Sequence, residues 1–339
     1  MKILVTGATG FIGYHLVKEL TARLNAKNIV CLVRSVTKAK NLEALGVSVL
    51  EGDLMEENSL HDICRDMEIV FHLAACVRFG VRDKSRVDFD SPNVKGTKNL
   101  LEACPKSVRR FIYMSSVNAV ERPFGDPCIS PLTEESPCHP HTLYGRSKLK
   151  AEKIVRKVAG SKKISFLILR PPSLVYGNGC NPESGMAKLI LGVARHSFFT
   201  SIRFPGRFSL IHVKDLASAT ADMGLSDQCP NQTFFLADEP PVTLGEITKE
   251  IAFNLGIRCR QIRLPRSVFH IADLFTRLLL QLPLIGSKIP FQLLMLLHDE
   301  AAVSSTKIRL KARFQTHVPL KEGLKDTIPW VLNSKTSSQ

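Results

Sequence analysis

Tyr144 and Lys148 stand four residues apart in the run Tyr-Gly-Arg-Ser-Lys, so a helix through them places both side chains on one face. That spacing suits proton transfer. A phenol with an ordinary pKa near 10 is a poor acid or base at neutral pH, and an ammonium beside it favours the phenolate. Ser115 and Ser116 close the apolar stretch Phe111–Met114. In a parallel α/β sheet that is the edge where ligands bind, and a hydroxyl there could hold a substrate carbonyl.

A second group stands at the N-terminus, where an apolar run ending at Val5 leads into Gly7, Gly10 and Gly13. This is a phosphate-binding turn. The first glycine permits the tight turn, the second lets backbone N–H groups approach a pyrophosphate, and the third lets the next helix pack on the strand. That helix aims its positive end at the phosphates. An NAD site wants a carboxylate near the end of the second strand to accept from the ribose hydroxyls. Between Glu19 and Glu43 there is no acidic residue, whereas Arg23, Lys27, Arg34, Lys38 and Lys40 are basic. Arg34 directly follows Val33, and a guanidinium there suits a 2′-phosphate, so NADP is expected ahead of NAD.

The elements that must position these groups are legible in the apolar pattern. Strands are expected at Ile3–Val5, Ile29–Val33, Val47–Leu50, Ile69–Leu73, Arg110–Met114 and Ser165–Leu169, with helices at Phe11–Leu24, at Val94–Cys104 and from about Leu143. The alternation implies a Rossmann-like α/β fold, a doubly wound parallel sheet. After Arg170-Pro171-Pro172 the regularity breaks. Residues 1–176 are expected to form the cofactor domain, with returning segments near 208–238 (Ser209–Val213 and Thr233–Leu236), and residues 177–207 and 239–339 a smaller, mostly helical substrate lobe. Within it, Phe269–Leu282 carries His270, Asp273, Arg277 and Gln281 among apolar residues at helical spacing. It reads as a helix packed on the lobe's core, an apolar substrate entrance or a membrane-surface contact. Arg258, Arg260, Arg263 and Arg266 precede it, as a solvated basic edge or, with that helix, a dock for anionic lipid.

A chain of 339 residues with 44% apolar residues supports a sizeable core in one large or two modest domains. The formal net charge of +15 attracts anions without naming one. Dispersed basic residues, no zinc-finger spacing and few aromatic platforms argue against nucleic acid. The first strand begins at residue 2 and no apolar run is long enough to span a bilayer, so a cytoplasmic location, with membrane association only peripheral, is expected. Nine scattered cysteines without a C-x-x-C pair read as reduced structural thiols. His139 and His141, between Pro137, Pro140 and the catalytic helix, read as loop residues, and no metal site is expected.

Over about residues 1–240 the chain resembles the extended short-chain dehydrogenase/reductase family, within the NAD-dependent epimerase/dehydratase superfamily. The matching runs are TGATGFIG (6–13), GDL (52–54), FHLAA (71–75), NVKGTKNLLEA (93–103), YMSS (113–116), YGRSK (144–148), RPPSLVYG (170–177) and LIHVKDLA (210–217). The resemblance implies Tyr144 as catalytic acid/base, Lys148 as its pKa partner and ribose ligand, Ser116 orienting the substrate oxygen (Ser115 if the register slips by one), and Asn93 supporting the proton relay. It implies cofactor contacts from Gly7, Thr9, Gly10, Phe11, Ile12 and Gly13, from Asp53 and Leu54 flanking the adenine, and from Leu73, Ala74, Ala75, Pro171 and Ser173. A homodimer built from helices beside the active-site helix is implied as well.

Two reaction classes compete for the small-molecule substrate. Nucleotide-sugar epimerases and dehydratases of the family show an Arg-Asp-Tyr-like run before the Ile-His-Val element, where this chain has Phe208-Ser209-Leu210, although Arg207 could still reach a diphosphate. The alternative, similar to 3β-hydroxysteroid dehydrogenase and dihydroflavonol reductase, takes an apolar carbonyl or alcohol into a pocket lined by residues such as Phe79, Phe124, Phe198, Phe199 and Phe204. A non-catalytic dinucleotide sensor or assembly subunit is disfavoured by the intact Ser116, Tyr144 and Lys148 set.

Overall fold

Unbroken apolar runs such as Ile29–Val33 mark strands covered on both faces, and they form the centre of the sheet. The computed structural model describes residues 1–77, 88–121, 131–265, 267–269, 271–272, 274–275 and 302–336. The strands are β1 (Ile3–Thr6), β2 (Ile29–Val33), β3 (Ser48–Glu51), β4 (Ile69–His72), β5 (Arg110–Met114), β6 (Ser165–Arg170), β7 (Leu174–Tyr176), β8 (Arg207–Phe208), β9 (Leu210–His212), β10 (Gln232–Phe235) and β11 (Val242–Thr243). Seven of them make one parallel sheet in the order β10-β6-β5-β4-β1-β2-β3.

The helices among the described residues begin with α1 (Phe11–Arg23), α2 (Lys40–Glu43), α3 (Glu57–Cys64), α4 (Gly96–Ala103) and α5 (Leu143–Ser161). They continue with α6 (Gly185–Ala194), α7 (Phe198–Ser201), α8 (Val213–Leu225) and α9 (Leu244–Leu255), then Thr306–Ala312 and Leu320–Thr336. Alternate strand residues feed two layers. Ile3 and Val5 pack with Leu16 and Leu20 of α1 and Leu216 of α8 on one face. Leu4 and Val30 pack with Leu60 of α3, Leu100 of α4 and Val155 of α5 on the other. Each such side chain stabilises the fold by about 1.5–3 kcal/mol. Thr6 aligns with His72, His72 with Tyr113, and Tyr113 with Ile168, so the carboxyl ends of four strands finish in one row. The chain turns from β2 on one side of β1 to β4 on the other, which opens a crevice above that row.

The edges differ. Ser48, Leu50 and Glu51 of β3 face solvent, whereas β10 is covered by the helix Thr306–Ala312, with Lys307 over the Phe234 ring. A third core joins α6, α9 and Leu320–Thr336 through Met186, Ile190, Ile247, Ile251, Leu324 and Ile328.

The segment expected to rejoin the sheet at Ser209–Val213 instead pairs β9 with β7 in a separate parallel ladder, because β10 already occupies the free side of β6. The helix expected at Val94–Cys104 begins as a widened turn, Ser91–Lys95, before α4. Only Phe269, Ile271, Ala272, Leu274 and Phe275 of Phe269–Leu282 lie among the described residues; His270, Asp273, Arg277 and Gln281, with Arg266, Phe79 and Phe124, lie outside them.

Candidate active site

Thr142 caps α5, its hydroxyl accepting from the Gly145 N–H at 2.9 Å. The first turn of α5 presses on the loop after β5. A Cβ at Gly145 would stand 2.2 Å from the Asn118 carbonyl, so only glycine permits that contact. In that loop Ser116 Oγ accepts from the Asn118 N–H at 3.2 Å and donates to Asn118 Oδ1 at 3.4 Å, and Ser116 is hydrogen-bonded to the Tyr144 phenol. Asn118 Oδ1 also accepts from Ser173 at 2.9 Å, and the Pro171 carbonyl accepts from the Val117 N–H at 3.0 Å. Phe89 meets the Tyr144 ring edge-on at 6.2 Å. Burial pushes the phenol up to about 12, opposed by the Ser116 bond.

Lys148 lies on the same helix but turns down toward the sheet. Its Nζ donates to the Met114 carbonyl at 2.6 Å and stands 4.3 Å over the Tyr113 ring. Burial lowers its pKa to about 7, against the attraction of Glu152. The expectation of an ammonium facing the phenol is therefore met only in part: the spacing puts both groups on α5, and the sheet-end carbonyl holds the amine. Asn93 sits in the widened turn, which carries its side chain inward. It donates to Ser147 Oγ at 2.9 Å and to the Cys76 carbonyl at 3.2 Å, and accepts from the Cys76 N–H at 2.7 Å.

Glu152 is the residue that sequence reasoning missed. Ser115 donates to its Oε1 at 2.6 Å, and Arg170 clamps it through Nε at 2.9 Å and Nη2 at 2.6 Å. Ser115 is thus spent on the carboxylate, and Ser116 is the hydroxyl left beside Tyr144. The signal was available: Glu152 follows Lys148 by four residues on one helix face, and Arg170 closes β6. Below the site, His72 bridges Thr6 Oγ1 at 2.7 Å and Thr97 Oγ1 at 2.9 Å. Burial lowers its pKa to about 3, so it is a neutral peg between β1, β4 and α4.

The glycine turn fits a pyrophosphate. Gly7 has φ +74°, and a Cβ on it would stand 2.6 Å from the Ala74 nitrogen; one on Gly13 would stand 2.1 Å from the Gly7 carbonyl. Gly10 caps α1 without any side-chain bond, and no acidic residue stands in the first turn, which leaves that turn's N–H groups to an anion. Thr9 is exposed and Phe11 and Ile12 are half-buried there. Leu73 and Ala74 donate their N–H groups to Thr6, at O (3.1 Å) and Oγ1 (3.3 Å), and Ala75 follows. Asp53 Oδ1 accepts from the Met55 N–H at 2.9 Å, and the Leu54 carbonyl accepts from Asn99 at 2.9 Å.

Arg34 is exposed just past β2 and has no ion-pair partner among the described residues. Beside it Ser35 and Thr37 share a hydrogen bond of 2.8 Å. Sequence reading overlooked Glu51, which pairs with Val33 in the sheet and accepts from the Val36 N–H at 3.5 Å. Its position as the last residue of the third strand was the available signal.

Of the expected pocket phenylalanines that are described, Phe204 is buried against Phe269 at 5.7 Å, while Phe198 and Phe199 face solvent. Arg207 donates to the Pro241 carbonyl at 2.7 Å, and Ser209 is buried, accepting from the Val303 N–H at 3.0 Å. In the loop before α5 the His139 N–H donates to the Val120 carbonyl at 2.8 Å and the His141 N–H to Glu121 at 2.6 Å. Among the described residues no three His, Cys, Asp or Glu side chains group as metal ligands, the cysteines are free thiols, and no helix is long and apolar enough to cross a membrane.

Known proteins share this plan. A UDP-glucose 4-epimerase of Vibrio cholerae is 28% identical over 269 residues, covering 78% of this chain and 79% of that one. A 3beta-hydroxysteroid-dehydrogenase/decarboxylase (isoform 2) of Arabidopsis thaliana is 23% identical over 352 residues, covering 96% of this chain and 61% of that one. The solved UDP-glucose 4-epimerase of Thermotoga maritima with UDP-glucose superposes with a TM-score of 0.74 over 99% of this chain and 100% of that one, at 23% identity. The model of the NAD dependent epimerase/dehydratase family matches residues 3–226, and with the glycine turn, the sheet order and the Tyr144 corner already in place, the chain belongs to that family of NAD-dependent enzymes.

Proposed function

We propose that the protein is an NADP-preferring oxidoreductase that reduces or forms a carbonyl on a fairly apolar small molecule of hydroxysteroid-, flavonoid- or 3-oxoacyl-like character. The bound nicotinamide supplies or takes the hydride. The chain's own residues do the rest. Tyr144 gives the substrate oxygen its proton or removes it, Ser116 orients that oxygen from the hydrogen bond it shares with the phenol, and Lys148 with Asn93 relays the proton and holds the ribose. Gly7, Gly10, Gly13 and the N-terminus of α1 take the pyrophosphate, Asp53 and Leu54 the adenine, Leu73 to Ala75 with Pro171 and Ser173 the remaining contacts, and Arg34 the 2′-phosphate. Residues 177–207 and 239–339 take the substrate.

Exposed Arg34, with no ion pair to a described carboxylate, carries the cofactor assignment. Substrate class rests on buried Ser209, which stands where the sugar enzymes of the family carry a nucleotide contact, and on the tie of Arg207 to Pro241. A ligand that binds only the native state raises stability by RT ln(1 + [L]/Kd), so NADPH should raise the melting temperature more than NADH at equal concentration. Equal shifts would sink the 2′-phosphate argument. A panel of apolar ketones and alcohols should include one that supports turnover, with UDP-glucose and UDP-galactose giving no heat in calorimetric titration. The relative in Vibrio cholerae keeps the epimerase reading as the alternative. Micromolar UDP-sugar binding that vanishes in Arg207→Ala would establish it in place of the apolar one. A homodimer through helices beside α5 rests on the family resemblance, and sedimentation equilibrium measures it.

A further inference from the structure

The outer edge of the 177–275 region carries apolar side chains that folding has left in water. Phe198 is 69% exposed, Ile271 68%, and Leu274 and Phe275 61% each, with Phe199, Leu264 and Val268 also exposed. They belong to one surface. Ile202 pairs with Ile262 in a parallel bridge, the Arg203 N–H donates to the Ile262 carbonyl at 3.0 Å, and the Ile262 N–H donates to the Ser201 carbonyl at 2.8 Å. Beneath the bridge Phe204 stacks on Phe199 at 5.0 Å and on Phe269 at 5.7 Å, so α7 and the start of the 267–275 segment share a small core. Phe269 points into that core, and Ile271, Leu274 and Phe275 point away from it. Scattered apolar residues on a surface need no explanation, but a contiguous group of this kind marks an interaction site.

The charge around the patch is mostly positive. From 189 to 213 the chain has no Asp or Glu but carries Arg195, Arg203 and Arg207, and from 251 to 265 it has none but carries Arg258, Arg260 and Arg263; Asp273 is the one acid in the sequence from 258 to 275. Arg258, Arg260 and Arg263 are all exposed; the first two alternate with less exposed Cys259 and Gln261, which puts those two on one side of an extended segment, and Arg263 follows where the chain is exposed from 263 to 265. None has an ion-pair partner among the described residues. Among the described residues Glu246 of α9 stands near Arg203 and Arg207, and its carboxylate is folded into the cap of its own helix at Thr243. A protein partner of mixed charge would leave these cations unpaired. An anionic bilayer surface satisfies both halves, with aromatic and aliphatic side chains entering the interface and arginines at the phosphates.

We infer that the edge formed by α7 and the described residues 258–265, 267–269, 271–272 and 274–275 docks the protein on the surface of an anionic lipid bilayer, as a peripheral contact. Vesicle binding requires neither turnover nor a known substrate, so its failure leaves the oxidoreductase assignment untouched. The test is co-sedimentation of the full chain with phosphatidylcholine vesicles, with and without phosphatidylserine. Binding is expected with phosphatidylserine, weakly or not at all without it, and is released by raised salt. Arg258→Glu, Arg260→Glu and Arg263→Glu should each weaken it about fivefold or more, and Ile271→Ser with Phe275→Ser should weaken it at every salt concentration while leaving the melting temperature and its rise with NADPH unchanged. If those variants fail to fold, the lipid and salt dependence of the unaltered protein still decides. Binding that ignores phosphatidylserine and salt, or no binding at all, overturns the inference. So does concentration-dependent self-association that disappears in the Ile271 and Phe275 variants without any vesicle binding, since the occupant would then be a second copy.

Discussion

The two ends of the crevice are built differently. At the Tyr144 end a half-buried phenol stands on a buried polar frame: Ser115 and Arg170 fix buried Glu152, Glu152 faces buried Lys148, and half-buried Asn118 fixes Ser116. At the Arg34 end the binding surface is backbone, shaped by what glycine lacks, plus one exposed guanidinium on a turn. On the assignment proposed above, chemistry would sit in the part that cannot shift without disturbing the core, and cofactor choice in the part that can. A single substitution should therefore be devastating at one end and instructive at the other.

The largest expected effect is at the buried end. Tyr144→Phe keeps the ring packed on Phe89 but removes the transferable proton, so kcat should fall by about 10²–10⁴ with NADPH binding retained. Near-full turnover on a genuine substrate would show that proton transfer lies elsewhere. Lys148 gives the next effect, read as a slope. Its amine titrates near 7 in the folded chain and at about 10.4 when unfolded, so between those values the unfolded chain holds the extra proton. The depressed value makes stability rise with pH across that window, by at most about 1.4 kcal/mol per pH unit; the gain is lost as pH falls back to 7, and the contribution is flat below it. Lys148→Met should flatten that rise in urea titrations between neutral and alkaline pH. An unchanged slope would mean that the amine stays charged where it lies.

At the glycine turn the effect is steric. Gly13→Ala places a methyl 2.1 Å from the Gly7 carbonyl and should cost about 1–3 kcal/mol with loss of cofactor binding, while Gly10→Ala, at 3.2 Å, should be milder. Equal losses for the two would break the link between close approach and binding. The smallest change is the most selective. Arg34→Asp should leave stability alone and shift the NADPH-to-NADH affinity ratio by roughly ten- to a hundredfold, the worth of one charge-assisted hydrogen bond.

Legibility in the sequence followed the same division. β2 and β5 were readable to the residue because an apolar run between turns has one good solution in a doubly covered sheet. That Tyr144 and Lys148 share a helix, and that Ser115 and Ser116 stand at a strand end, was readable because helical spacing and a strand end are local facts. The direction of the Lys148 amine was not, since it depends on the Met114 carbonyl 34 residues away in the chain. Glu152 escaped for the same reason, its partners being Ser115, just past β5, and Arg170, the last residue of β6. The β9 segment was misplaced because an apolar run states that it will pair, and the identity of the partner is decided by which sheet edge is still vacant.

The margins of the main sheet also set how copies of this molecule can meet. β3 is only four residues long and turns Ser48 and Glu51 to water, so it offers a poor template for another strand. At the opposite margin the helix Thr306–Ala312 lies over β10 and withholds its backbone. Strand addition is thus disfavoured at both margins, and with it propagation of the parallel sheet from one molecule into the next. Assembly of the folded protein through this sheet is therefore disfavoured, and contacts through helix faces or loops are favoured over it.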